Sequence, residues 1–193
     1  MRRIVSALSL ALILPLAACF DADLSISFID DNTAEGTMVM TATPEFYAMA
    51  SSGTEPFCED VEATLEDGSH TCTETFSGTI DEILNDPDMA EGMTIARNDD
   101  GTLFVAFDLG DMTQDVAPPE EAGAEADQMK EMMKAAFMGH FITVNVSGAE
   151  IIETNGTVSE DGATATFTIP LETLLADHND MPEAFEVLLR PGA

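Results

Sequence analysis

The chain has 193 residues, 37 acidic against six basic side chains, a formal net charge of −31, and an apolar set with twelve methionines, one tyrosine and no tryptophan. A surface this acidic repels polyanions, so nucleic acid is not an expected partner. The length suffices for one domain with its own core and does not require a second.

Residues 1–18 read as a signal peptide. Arg2 and Arg3 form a positive start, Ile4 to Leu14 an apolar stretch, and Leu16-Ala17-Ala18-Cys19 places small residues ahead of a cysteine. The stretch is shorter than the roughly 20 residues that a membrane span needs. The pattern resembles the lipobox of bacterial lipoproteins, which implies cleavage before Cys19 and diacylglycerol on its thiol. Two or three acyl chains, at about 0.8 kcal/mol per buried methylene, would make a lasting anchor. The expected partner is therefore the membrane, reached through the N-terminal lipid, with residues 19–193 forming one acidic, periplasm-facing domain of the cell envelope. Phe20, standing where an aspartate would favour inner-membrane retention, favours the outer membrane. Removal of the signal leaves only Arg97, Lys130, Lys134 and Arg190 as fixed cations.

Leu24, Ile26 and Phe28 alternate with Asp23, Ser25 and Ser27 as a half-buried strand does, and Asp30-Asp31-Asn32-Thr33 turns the chain into a returning strand over Gly36 to Ala42. Pro44 suits the first turn of a short helix through Met49, and Thr79 can cap another through Leu84. Met93 to Ala96 and Leu103 to Leu109 form a hairpin about Asp99-Asp100-Gly101. The Pro- and Glu-rich stretch at about 112–125 is a solvated linker within the domain. A helix follows from Glu125 to Met138, with Ala126, Met129, Met132, Met133, Ala136 and Phe137 on one side. Phe141 to Val146, Glu150 to Glu153 and Ala163 to Ile169, separated by the tight-turn signals Asn155-Gly156 and Asp161-Gly162, suggest an antiparallel meander. Pro170 opens a short helix through Leu175, and Phe185 to Leu189 fits a strand or a helix. The fold class is α+β, mainly antiparallel sheet with helices packed on one face.

Cys58 and Cys72 flank the turn formers Glu66-Asp67-Gly68-Ser69, and in an oxidising compartment this pair is expected to form a disulfide stapling a hairpin-like insertion. A metal site built from Cys58, His70 and Cys72 is the competing reading, but it is one ligand short. His140 and His178 have no companion at helical spacing and read as structural or exposed. Asp30-Asp31, Asp86-Pro87-Asp88 and Asn98-Asp99-Asp100-Gly101 are candidates for calcium, yet none has EF-hand spacing, and solvation is the plainer account of the charge. No nucleophile elbow, zinc-protease helix or phosphate loop occurs, so the chain reads as non-enzymatic, with no catalytic residue, no metal and no cofactor.

Two stretches carry a resemblance. One runs from Cys19 through Leu24-Ser25-Ile26-Ser27-Phe28 to Glu35-Gly36-Thr37-Met38-Val39-Met40. The other runs from Val144-Asn145-Val146-Ser147-Gly148-Ala149-Glu150-Ile151 through Thr154-Asn155-Gly156 to Thr164-Ala165-Thr166-Phe167-Thr168-Ile169-Pro170-Leu171. They resemble the LppM-type lipoprotein domain of bacterial envelopes. Phe167 departs from the tryptophan that relatives often carry, and no C-terminal apolar span follows, so anchoring is expected to rest on Cys19. The resemblance implies a non-enzymatic mixed α/β domain with lipid or glycolipid as ligand. Methionine adapts to flexible apolar ligands, which makes Met38, Met40, Met129, Met132 and Met133 the candidate lining for a lipid; ordinary core is the competing reading of the same residues. The alternative function is an accessory or scaffold lipoprotein acting through protein–protein contact in an envelope complex.

Overall fold

Alternation in Leu24-Ser25-Ile26-Ser27-Phe28 makes one side of a strand apolar, and that side has to be covered. A computed structural model describes residues 20–51, 57–58, 61–85, 92–110, 124–176 and 181–192. Strand β1 (Phe20–Phe28) and β2 (Thr33–Ala42) form the expected hairpin, with Phe28 opposite Ala34. The Asp30 carboxylate closes its turn by accepting from the backbone N–H groups of Asn32 and Thr33 at 2.8 and 2.6 Å. These bonds favour the charged form, the Asn32 one most, and hold the Asp30 carboxyl below its ordinary range. Helix α1 (Pro44–Ala50) starts at Thr43, whose hydroxyl accepts from Phe46 N.

Strands β3 (Val61–Thr64) and β4 (His70–Thr79) turn about Gly68, whose φ of +88° suits glycine. The pair is not an insertion. Strand β4 lies along the whole of β2, from Thr33 opposite Thr79 to Ala42 opposite His70, and only β3 is an edge, with all four residues exposed. Helix α2 (Ile80–Asn85) opens on a capping box: Thr79 Oγ1 accepts from Glu82 N, and Glu82 Oε2 accepts from Thr79 N at 2.9 Å. Strands β5 (Met93–Arg97) and β6 (Leu103–Asp108) form the expected hairpin, with Gly101 at φ +83°.

Helix α3 spans Ala124–Phe137. Strand β7 (Phe141–Ser147) then lies parallel to β1, Leu24 beside Val144, so one pair breaks the antiparallel pattern. The expected meander also breaks here. Strand β8 (Glu150–Thr154) leaves for a second sheet, while β9 (Thr157–Val158) and β10 (Thr164–Pro170) return to the first, Phe167 opposite Val144. After a 3-10 helix at Leu171–Leu175, β11 (Ala184–Arg190) resolves the ambiguous C-terminal stretch as a strand between β6 and β8. The sheet orders are β3-β4-β2-β1-β7-β10-β9 and β5-β6-β11-β8.

Asn155-Gly156 is not the positive-φ turn its sequence suggests. A Cβ on Gly156 would lie 2.6 Å from the Thr166 carbonyl oxygen and 2.7 Å from the Phe185 ring, so glycine is needed for close approach between the sheets. Gly148 does the same beside Arg190 O at 2.6 Å. Both sheets contribute to one core: Ile26, Phe28, Val144, Val146, Ala165 and Ile169 from the first meet Val105, Phe107, Phe185, Val187 and Leu189 from the second. Residues 1–19 with the signal and Cys19, Asp86-Pro87-Asp88, most of the 112–125 linker and His178 lie outside the described residues.

Candidate functional site: the hydroxyl face of the larger sheet

The side of the seven-stranded sheet turned away from the core has a different chemistry. Each outward position of β4 is a hydroxyl: Thr71, Thr73, Thr75, Ser77 and Thr79. Strand β2 adds Thr33, Thr37 and Thr41, β1 adds Ser25 and Ser27, β7 adds Thr143 and Ser147, and β10 adds Thr164, Thr166 and Thr168. The register aligns these groups in rows. One runs Thr75, Thr37, Ser25, Asn145, Thr166 across five strands, and the next runs Ser77, Glu35, Ser27, Ser147, Thr164.

Two open clefts lie on this face. The larger, about 450 Å³, is lined by Ser25, Ser27, Glu35, Thr37, Thr75, Ser77 and Ser147, with Ile26, Gly36 and Phe76 in its floor. Glycine is required at 36, because a Cβ there would fall within 2.0 Å of the Phe76 ring. The smaller, about 210 Å³, is lined by Asp21, Ala22, Asp23, Val39, Thr41, Phe141 and Thr143. Between them Asn145 is fixed on all sides: its Nδ2 donates to Asp23 and Ser25 at 3.2 to 3.3 Å, and its Oδ1 accepts from Thr166 Oγ1 at 2.8 Å. Ser25 Oγ donates to Asp23 at 3.0 Å. The larger cleft thus offers neutral donors and acceptors, a single carboxylate and no cation.

Cys58 and Cys72 are joined in a disulfide, with 5.3 Å between their Cα atoms. Both sulfurs are consumed, which removes the Cys58–His70–Cys72 metal reading. His70 instead stacks on Tyr47, centroids 3.4 Å apart, and its Nδ1 lies 3.2 Å from Glu62. His140 Nδ1 lies 3.1 Å from Asp21, whose other oxygen accepts from Phe141 N at 2.8 Å, so this residue helps fasten β7 to β1. Met38 and Met40 are half-buried on the inner face, opposite Leu24 and Ala22. Met133 is half-buried and Met132 is 50% exposed on α3; the side chain of Met129 lies outside the described set. No methionine lines either cleft.

The hydrogen-bonded carboxylates Asp100 and Asp161 are turn caps. Asp100 is held below the ordinary carboxylate range first by the Thr102 hydroxyl, and Asp161 first by the Ser159 hydroxyl. Among the described residues, no three potential ligands converge as a metal site. The hydroxyl face has a signal in the sequence that composition and motif do not bring out, the hydroxyl at every second position of Thr71-Cys72-Thr73-Glu74-Thr75-Phe76-Ser77.

No protein-family model matches the chain, and no curated protein matches it. Among solved structures, the NMR structure of the folded domain of Mycobacterium tuberculosis LppM is similar over 90% of this chain and 91% of that one, with a TM-score of 0.52 and 15% sequence identity. At that identity the likeness speaks for architecture, and the chain has an LppM-like fold.

Proposed function

We propose that the protein is a lipid-anchored lipoprotein of the bacterial envelope, tethered through Cys19 with its domain facing the periplasm from the outer membrane, and that it binds a ligand without catalysis. The binding surface is the hydroxyl face, and the ligand is an uncharged, polyhydroxylated compound of the kind that makes up envelope glycans. The rows of aligned serine and threonine hydroxyls over an open cleft carry this reading. Many neutral donor–acceptor groups match a polyol, while the acidic surround disfavours an anionic ligand. Ser25 donates to Asp23, and Asn145 is held by three residues, which suits fixed recognition better than nucleophilic chemistry.

A second reading keeps a lipid or other apolar ligand, because Met38 and Met40 are half-buried beside Leu24 on the inner face. An accessory role in an envelope complex would draw on the exposed β3 edge, where Val61 is 65% exposed. Titration of the domain from Phe20 onward with neutral chito- and malto-oligosaccharides, followed by NMR, separates the readings. Shifts at Ser25, Thr37 and Thr75 that vanish in T37V are expected. Bound lipid in native mass spectra, with shifts confined to Met38 and Met40, would replace the glycan reading.

A further inference from the structure

We propose that the end of the domain where β1 begins rests on the bilayer that holds the anchor, seating Met138 and Phe141 among the headgroups. The inference rests on the reading of Cys19 as the lipidated residue. Because β1 starts at Phe20, one peptide unit of about 3.8 Å separates the anchored residue from the sheet. That distance leaves no flexible spacer on which the domain could stand away from the membrane.

The surface next to this point suits the role. The Asp21 clamp holds His140 and Phe141 beside the first residues of β1. Met138 is 70% exposed and Phe141 40% exposed, while Phe20 packs on Phe46 with ring centroids 5.4 Å apart. Lys134, one of the few cations in this acidic chain, is exposed one helical turn before Met138. A long basic side chain above apolar groups fits an interface, where its stem lies in the apolar layer and its charge in water. Asp21, Glu45, Glu66, Asp67 and Glu131 all lie on or beside this end, so an anionic headgroup is disfavoured and the complement is a zwitterionic one. Ile29 and Val158 are also exposed, but they lie toward the opposite end of the strands, away from the anchor.

The native chain contains no tryptophan, so one introduced indole reports alone. The full chain is expressed with its signal, purified with its lipid, and reconstituted in phosphatidylcholine vesicles with and without brominated acyl chains. The variants are F141W, M138W and, as the distant control, I29W. Interfacial residues lie roughly 5–10 Å into the headgroup and acyl boundary, so F141W and M138W emission is expected to shift to the blue and fall by about half with brominated lipid. I29W sits eight residues along the strand from Asp21, about 26 Å at 3.3 Å per residue, and is expected to keep its emission. M138W, at a more exposed position, covers the case in which F141W misfolds. Acylated, vesicle-bound protein in which both indoles are quenched no more than I29W would overturn the docking while leaving the anchor intact. Absence of acyl mass on the N-terminal peptide would instead remove the anchor, and the docking with it.

Discussion

Removing the disulfide tests whether the β3–β4 hairpin belongs to the cooperative fold. Cys58 and Cys72 are 14 residues apart, and a closed loop of that size stabilises by about 3 kcal/mol in the chain-entropy model. Strand β3 buries none of its four residues, so its backbone ladder to β4 and the bridge hold it in place. Cys72 lies on β4, which pairs along its full length with β2, so slack at the bridge reaches the larger sheet directly. In a domain of this size 1 kcal/mol moves Tm by about 2–4 °C, and the C58A/C72A variant is expected to melt about 6–12 °C below the native protein.

Calorimetry in non-reducing buffer measures that shift. The C58A variant keeps the buried Cys72 side chain, which is 1% exposed, and so separates loss of the bridge from loss of packing. Hydrogen exchange should show protection falling first at Val61–Thr64 and last in β6 and β11. A Tm for C58A within about 1 °C of native would refute the reasoning, since loop closure alone predicts several times that change. Strand β3 would then be an edge appendage that unfolds before the cooperative transition.

Other substitutions read other parts of the fold. Phe185 is fully buried and stacks on Phe107 and Phe167 at 6.0 and 5.3 Å; F185A should cost about 3–5 kcal/mol in urea unfolding, and a loss below about 1 kcal/mol would deny that the sheets share a core. G156A should cost about 1–3 kcal/mol through crowding against Thr166 and Phe185, and a variant as stable as native would return Gly156 to a plain turn role. Hydrogen bonds that lower the Asp100 carboxyl stabilise the fold above the ordinary carboxylate range and are lost as pH falls through its folded-state value. The Tm gap between D100A and native should therefore narrow in acid, and a gap that widens there would reverse the assignment.

The sequence made the local features legible wherever one residue carries one instruction. Thr79 spells a helix cap, Asp100-Gly101 a hairpin turn, and Leu24 to Phe28 a strand with one apolar side. Partner choice was not legible, because β7 and β8 look equally strand-like and only packing sends them to different sheets. Gly148 and Gly156 mark that divergence, but a glycine needed for close approach looks like one needed for a turn. Strand β11 was ambiguous because Leu188 places an apolar residue on the outward side and blurs the alternation of Phe185, Val187 and Leu189. Of the candidate site, the methionines were conspicuous by composition, whereas the hydroxyl face shows in the sequence as the alternation of β4 and becomes a surface when five strands stand in register.

Threonine is a good strand former on any pleated, half-buried surface, so a hydroxyl face could arise from propensity alone. Charge distribution argues against that account. A chain with 37 acidic residues has ample means to solvate a sheet face, and the smaller sheet does so, with Glu150, Glu153 and Glu186 on adjacent strands. The larger sheet's outer face also carries Asp21 and Asp23, but these line the smaller cleft; in the larger cleft Glu35 is the single carboxylate among serines and threonines, a local depletion that solubility does not require and neutral ligand recognition favours. T75E separates the two accounts. Thr75 is exposed and faces Thr37 across the ladder, so the added charge should change stability by no more than about 1 kcal/mol. If the face is there for propensity and solubility, oligosaccharide titration will not distinguish T75E from native. If it is a binding surface, a carboxylate in the central row, diagonal to Glu35, desolvates poorly beneath a ligand, and the native chemical-shift response should disappear while the melting curve moves by no more than that small amount.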